Sequence, residues 1–187
     1  EIESGGGNIS FGSGGGFSNL ANTISGTGPV SFTFLSGSDS SAIVSGNSTY
    51  DGVTTLNNSH IYFTSIGNVG GTTPTALGDP STAANGMVNL LSLGATYSGV
   101  YASTTDRIFQ IASGDTFGFA GAQLLTLNGD LYLNGTTSGV LGSYGIGAQI
   151  NGEIIQTAAG VSGITINGGV VRLDGENNYK GVTKVNQ

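Results

Sequence analysis

Apolar residues in this 187-residue chain come in short runs that alternate with polar ones. Val30-Ser31-Phe32-Thr33-Phe34 alternates strictly, as do Leu131-Tyr132-Leu133 and Ile164-Thr165-Ile166, and Val182-Thr183-Lys184-Val185 is a further short run of apolar and polar residues. Ile108-Phe109-Gln110-Ile111 and Leu124-Leu125-Thr126-Leu127 are similar but less regular. Alternation puts every second side chain on one face of a strand. The runs are rich in the β-branched and aromatic residues that strands prefer. Turn pairs separate them: Asn128-Gly129, Asn134-Gly135, Asn151-Gly152 and Asn167-Gly168, with Gly-Gly and Ser-Gly elsewhere. Such residues tolerate the positive φ of tight turns. The pattern predicts many strands of about 3–6 residues joined by sharp corners. Residues 83–91 could hold one helical turn, which Gly86 and the preceding Pro80 keep short.

Composition narrows the choice of architecture. Gly (35), Ser (22), Thr (21) and Asn (16) make up half the chain, and these types disfavour a helical bundle. With no Cys, disulfides and Cys-ligated metals are excluded. Four basic residues against eleven acidic ones argue against binding a phosphate backbone. No stretch approaches the ~20 apolar residues of a membrane-spanning helix. Hydrophobic residues at 37% and a slightly positive mean hydropathy argue for a folded chain rather than low-complexity filler. An antiparallel sandwich and a parallel β-helix both fit short strands. A β-helix accommodates more Gly, Ser, Thr and Asn at its corners and needs few charges.

An internal repeat favours the β-helix. Ser45-Gly46-Asn47-Ser48-Thr49-Tyr50-Asp51-Gly52-Val53-Thr54-Thr55-Leu56-Asn57 aligns with Asp174-Gly175-Glu176-Asn177-Asn178-Tyr179-Lys180-Gly181-Val182-Thr183-Lys184-Val185-Asn186. Gly, Tyr, Gly, Val, Thr and Asn coincide, and Leu56 is matched by Val185. Repetition of this kind marks a repeat architecture. Tyr50 and Tyr179 should cover a corner with the hydroxyl in water. Gly52 and Gly181 allow the bend, and Asn57 and Asn186 stack or cap at the next corner. Coils of roughly 20–25 residues are expected.

These residues resemble the passenger-associated repeat, or autotransporter-associated β-strand repeat, of bacterial autotransporters. Ile24-Ser25-Gly26-Thr27-Gly28 before the first copy, Ala76-Leu77-Gly78 after it, and Gly169-Val170-Val171-Arg172-Leu173-Asp174-Gly175 before the second are similar to that family's flanking elements. Val53 and Val182 stand where a second Gly is common, and Lys180 and Lys184 where Thr is usual. The resemblance implies an all-β fold, a single right-handed parallel β-helix with stacked short strands and Gly/Asn corners. It also implies a passenger domain exported across the outer membrane to the bacterial cell surface or the extracellular space. Residues 1–187 are then one elongated segment of a larger protein, with a Gly-rich lead-in over 1–19 and a candidate loop insertion over 68–99.

No residue set reads as a catalytic site. His60 is the only His, and no Gly-x-Ser-x-Gly elbow accompanies it, so it reads as a strand or corner residue. Asp106-Arg107 reads as a local surface ion pair. Gly114-Asp115-Thr116-Phe117 partly matches a calcium-binding nonapeptide, but such sites need stacked copies and it occurs once. Gly12-Ser13-Gly14-Gly15-Gly16 lacks the Lys of a phosphate loop. The reading is a non-catalytic surface scaffold, stalk or adhesin segment, self-assembling end to end, with no catalytic residues, cofactor or metal. Its expected partners are neighbouring β-helix segments of the same or other chains, and host or bacterial surface glycans or proteins; no nucleic acid and no membrane insertion are expected. The alternative is a carbohydrate-binding or polysaccharide-cleaving β-helix with an aromatic groove drawn from Tyr97, Tyr101, Tyr132 or Tyr144. The net charge of −7 fits either.

Overall fold

The computed structural model describes residues 2–4, 10–12, 17–35, 41–57, 60–91, 95–112, 115–120, 123–135, 139–143, 147–157 and 162–186. Among them every strand pairing is parallel, and no helix forms. The coils pass from a first face to a third, then to a second, and return one rung along. Among the described residues the exceptions are that no third-face strand lies between Ser41–Val44 and Thr54–Asn57 or between His60–Phe63 and Val88–Leu90, and no second-face strand between Val171–Leu173 and Thr183–Asn186. The first face stacks eight strands: Phe17–Leu20, Ser41–Val44, His60–Phe63, Ala95–Tyr97, Thr116–Phe119, Gly139–Ser143, Ile164–Asn167 and Thr183–Asn186. The second stacks seven: Ser10–Gly12, Val30–Leu35, Thr54–Asn57, Val88–Leu90, Phe109–Ala112, Leu131–Asn134 and Ile154–Gln156. The third carries Ser103–Thr105, Leu125–Leu127, Ala148–Ile150 and Val171–Leu173, and, at the same place in the coil order, the pair Ile2–Ser4 and Ile24–Gly26. The fold is a parallel β-solenoid, as the alternation and the repeat predict.

Alternation sets what is buried. On the second face Val30, Phe32, Leu56, Val88, Leu90, Phe109, Ile111, Leu131, Leu133 and Ile154 point inward and are at most 2% exposed. They stack in register, with Phe109 over Val88 and under Leu131. Phe63, Tyr97, Phe109, Phe117 and Phe119 form an aromatic column through the middle coils, the Phe109 and Phe117 rings 4.6 Å apart. Each buried side chain of this size contributes about 1.5–3 kcal/mol.

The register fixes coil length. Ser103 lies 22 residues before its partner Leu125, and Ala148 lies 23 before Val171. One coil is longer: Ile61 lies 34 residues before Ala95. The extra length is the strand-free stretch 64–87. It contains one α-turn, in which Gly86 N–H donates to the Thr82 carbonyl at 2.8 Å, within the stretch expected to hold a single turn. Later in the 68–99 stretch, Val88–Leu90 and Ala95–Tyr97 are strands of the rod itself.

The Asn-Gly corners owe their glycine to a different cause from the one expected. Of the five Asn-Gly pairs, Asn85-Gly86 included, only Gly168 has positive φ. At Asn128-Gly129, Asn151-Gly152 and Asp174-Gly175 the corners stack directly, and a Cβ on Gly152 would collide with the Gly129 carbonyl. The glycine is there so that successive coils can approach. Beside it Asn151 Nδ2 donates to Asn128 Oδ1 at 2.8 Å, and on another corner Asn186 Nδ2 donates to Asn167 Oδ1 at 2.7 Å. Side-chain amides thus repeat the rung-to-rung bonding of the backbone.

Candidate functional site

The densest polar constellation is built where the 64–87 loop lies on the rod. Arg107 follows Ser103–Thr105 at a corner and is fully buried. Its Nε donates to the Gly86 carbonyl at 2.7 Å, Nη1 to the Leu77 carbonyl at 2.5 Å and Nη2 to Thr54 Oγ1 at 3.0 Å. Thr54 Oγ1 also meets the Tyr50 hydroxyl at 2.8 Å. Burial pushes the Tyr50 hydroxyl up to about 12, opposed by the neighbouring Arg107 charge and the Thr54 bond. Burial likewise pulls the Arg107 guanidinium below its ordinary range. Two neutral carbonyls and a hydroxyl satisfy the fork, and no salt bridge to Arg107 forms among the described residues.

Two further stations tie the loop down. Thr105 Oγ1 donates to the Gly67 carbonyl at 2.8 Å, and Asp106 Oδ1 accepts from Val69 N–H at 2.7 Å. Asp51 accepts from Ser81 N–H and Oγ–H and from Asn85 Nδ2, and the Ser81 bonds hold its carboxyl below the usual range. Between these stations Ala76 and Leu77 are fully buried, and Gly78, at φ +78°, lies flat against the Tyr50 ring, where a Cβ would clash. Chemically the assembly is a clamp. Its arginine donates to two backbone carbonyls and a threonine hydroxyl, and its tyrosine is sealed from water.

Two sequence expectations are corrected here. Asp106-Arg107 is no surface ion pair: Asp106 is exposed and serves the loop backbone, whereas Arg107 is interior. Tyr50 covers a corner as expected, but its hydroxyl is buried on Thr54 rather than wet. Both follow from the loop, whose Ala76-Leu77-Gly78 segment closes the corner from outside.

The remaining candidates are dispersed. His60 is a half-buried strand residue; its Nε2 meets Thr96 Oγ1 at 2.8 Å, its ring packs on Tyr62, and burial lowers its pKa. Asp115 is 8% exposed with Oδ2 lacking a hydrogen-bond partner, and burial raises its pKa; Gly114 lies outside the described residues. Of the four tyrosines, Tyr97 is in the core, its hydroxyl donating to the Tyr101 carbonyl and lying within hydrogen-bond distance of Ser103 Oγ, which removes it from any surface groove. Tyr101 is 79% exposed, Tyr132 is half-buried, and Tyr144 lies outside the described residues. The carboxylates bind locally: Asp130 accepts from Glu153 N–H, and Asp174 from Arg172 and Gln149. Among the described residues no three His, Asp or Glu side chains converge, and no pocket opens. Set against known proteins, the chain matches no protein-family model, no curated protein and no solved structure.

Proposed function

We infer that this chain is a non-catalytic β-helical scaffold: a stalk or adhesin segment of an autotransporter-like passenger, displayed at a bacterial surface or released from it. The observation that carries this reading is the use made of polar chemistry. The most elaborate polar cluster, around Arg107, is turned inward and consumed in holding a loop to the rod. Outside, the rod presents corners of Gly, Asn and Ser bonded rung to rung. A chain built this way supplies length and surface. The motif around Tyr50 and Tyr179, similar to the autotransporter repeat, and the absence of Cys support the address, since thiols are a liability on an oxidising route.

The address is tested with antibodies to the purified chain, applied to intact and to permeabilised cells of the organism that makes it. Labelling of intact cells is expected. Labelling only after permeabilisation overturns it. A glycan array and a reducing-end assay on polysaccharides test the scaffold itself: saccharide turnover lost on a single Asp substitution overturns a non-catalytic role.

A further inference from the structure

At the corners of the rod, polar side chains bond one another from coil to coil: Asn151 to Asn128, Asn186 to Asn167, Gln149 to Asp174 and Ser45 to Asn19. The outward side of the second face differs. Thr55, Asn89, Gln110 and Tyr132 stack there on four successive rungs, all half-buried. None of these four side chains hydrogen-bonds to another described residue. We propose that this column binds a neutral linear glycan laid along the rod axis. The proposal rests on the reading of the chain as a surface scaffold or adhesin segment, and it names what one face of that scaffold holds.

The first support is free hydrogen-bonding capacity. A threonine hydroxyl, two amides and a phenol offer both donors and acceptors, as sugar hydroxyls require. Asn89 adds a sharper sign. Its Oδ1 is enclosed without a hydrogen-bond partner, one of only two such side-chain atoms among the described residues. The terminal torsion of an asparagine is soft, so the amide can turn outward. A ligand hydroxyl that draws it out supplies the partner that the protein does not.

The second is spacing. Rungs recur every ~4.8 Å, close to the advance of one pyranose unit in an extended glycan, so successive sugars meet successive rungs. The third is the setting of the column. Beside Asn89 and Gln110 stand Met87 and Ile108, which precede their strands, and Leu91 and Ala112 on the other side, Leu91 being 46% exposed. Apolar flanks and the Tyr132 ring suit the C–H faces of sugars, and the amides between them suit the hydroxyls.

Charge selects the kind of glycan. The four rungs carry no exposed cation: Arg107 is buried, and the other three cations lie within 172–184. Asp130 stands on the Tyr132 rung and Glu153 on the next, joined by the Glu153 N–H to Asp130 Oδ1 bond. A face with carboxylates and no cation repels uronate, sulfate and phosphate chains, which leaves uncharged ones.

Affinity electrophoresis of the purified 187-residue chain, in native gels cast with and without each polysaccharide, tests this. Galactomannan, mixed-linkage β-glucan and hydroxyethyl cellulose are the neutral probes; polygalacturonate and alginate are the anionic ones. Retardation by at least one neutral probe and by neither anionic one is expected, and added salt should leave it unchanged. With oligosaccharides cut from the retained polymer, calorimetric affinity should rise with length to about four units and then level. Gln110→Ala and Tyr132→Ala should each weaken binding about five- to tenfold. Thr126→Ala, on the third face, should leave it unchanged. Far-UV circular dichroism establishes that each variant retains its β-structure; Gln110→Glu and Tyr132→Phe replace any that does not, with the same direction of effect. No retardation by any neutral probe, a preference for the anionic ones, or column variants that bind no worse than Thr126→Ala would each overturn the proposal and leave the non-catalytic scaffold standing. Retardation accompanied by release of reducing ends upholds the binding face and overturns the non-catalytic reading instead.

Discussion

The two copies of the repeated motif carry the same residues and reach different surroundings. In both, the Tyr hydroxyl meets the hydroxyl of the Thr four residues on, at 2.8 Å for Tyr50–Thr54 and 2.5 Å for Tyr179–Thr183. In both, the glycine two residues after the Tyr stacks on the backbone of the coil below, Gly52 on Gly28 and Pro29, Gly181 on Ser162 and Gly163. The copies then diverge. The first leads into the second face, where Tyr50, Thr54 and Leu56 are at most 2% exposed beneath Val88–Leu90 and the 64–87 loop. The second leads into the first face, where Thr183 and Val185 are exposed and no further strand among the described residues pairs on them. The motif therefore encodes a corner, not a place in the coil. The face it meets depends on coil length, and the stability it delivers depends on what lies above it.

Substitutions at matched positions break or sharpen that contrast. The largest effects belong to the covered copy. Tyr50→Ala should cost about 3–5 kcal/mol, as for other large-to-small core changes, and Tyr179→Ala under about 1 kcal/mol, read from urea midpoints. Arg107→Ala should fall in the upper range, about 3–5 kcal/mol, because it removes the guanidinium donors from the buried Gly86 and Leu77 carbonyls and empties the space the side chain fills. It should also open the loop to proteolysis near Ser81–Asn85, whereas Arg172→Ala leaves stability within about 0.5 kcal/mol.

Alkali gives the next effect. The Tyr50 hydroxyl is raised from an ordinary value of 10.0 to about 12, so the folded state keeps its proton where the unfolded chain loses it. This contribution is whole below about pH 10 and is lost as pH rises toward 12, by roughly 2–3 kcal/mol. Tyr50→Phe should flatten that slope in urea titrations across this window. Gly52→Ala and Gly181→Ala come next, at about 1–3 kcal/mol, since each Cβ lands on backbone. Here the copies should resemble each other most, because the corner stacking is common to both. The smallest difference is between Tyr50→Phe, about 1–2 kcal/mol at neutral pH, and Tyr179→Phe, about 0.5 kcal/mol or less.

Much of the fold was legible in the sequence, because strict alternation and stacked turn pairs are local signals that a parallel rod repeats. Phe32, Leu131, Ile164 and their neighbours are buried as their spacing predicts. The glycine corners were legible in position but not in cause: inter-coil stacking depends on register, which one chain segment does not reveal. Arg107 was the main omission. A lone Arg next to Asp reads as surface, and its three acceptors come from residues 54, 77 and 86, far apart in sequence. The nearest signal was Ala76-Leu77-Gly78, small and apolar residues inside a Pro-containing loop, which marks a loop with something to cover. The non-equivalence of the two motif copies was hidden for a related reason. Coil lengths between them vary, and only the full register counts the faces.

Hydrogen exchange resolved to single amides tests the central contrast most directly. The chain is held at a concentration where it is monomeric, and Thr54–Asn57 is compared with Thr183–Asn186. The account predicts that amides of Thr54–Asn57 exchange only through global opening, whereas those of Thr183–Asn186 exchange through local fraying, orders of magnitude faster. Equal protection of the two strands in the monomer would contradict it.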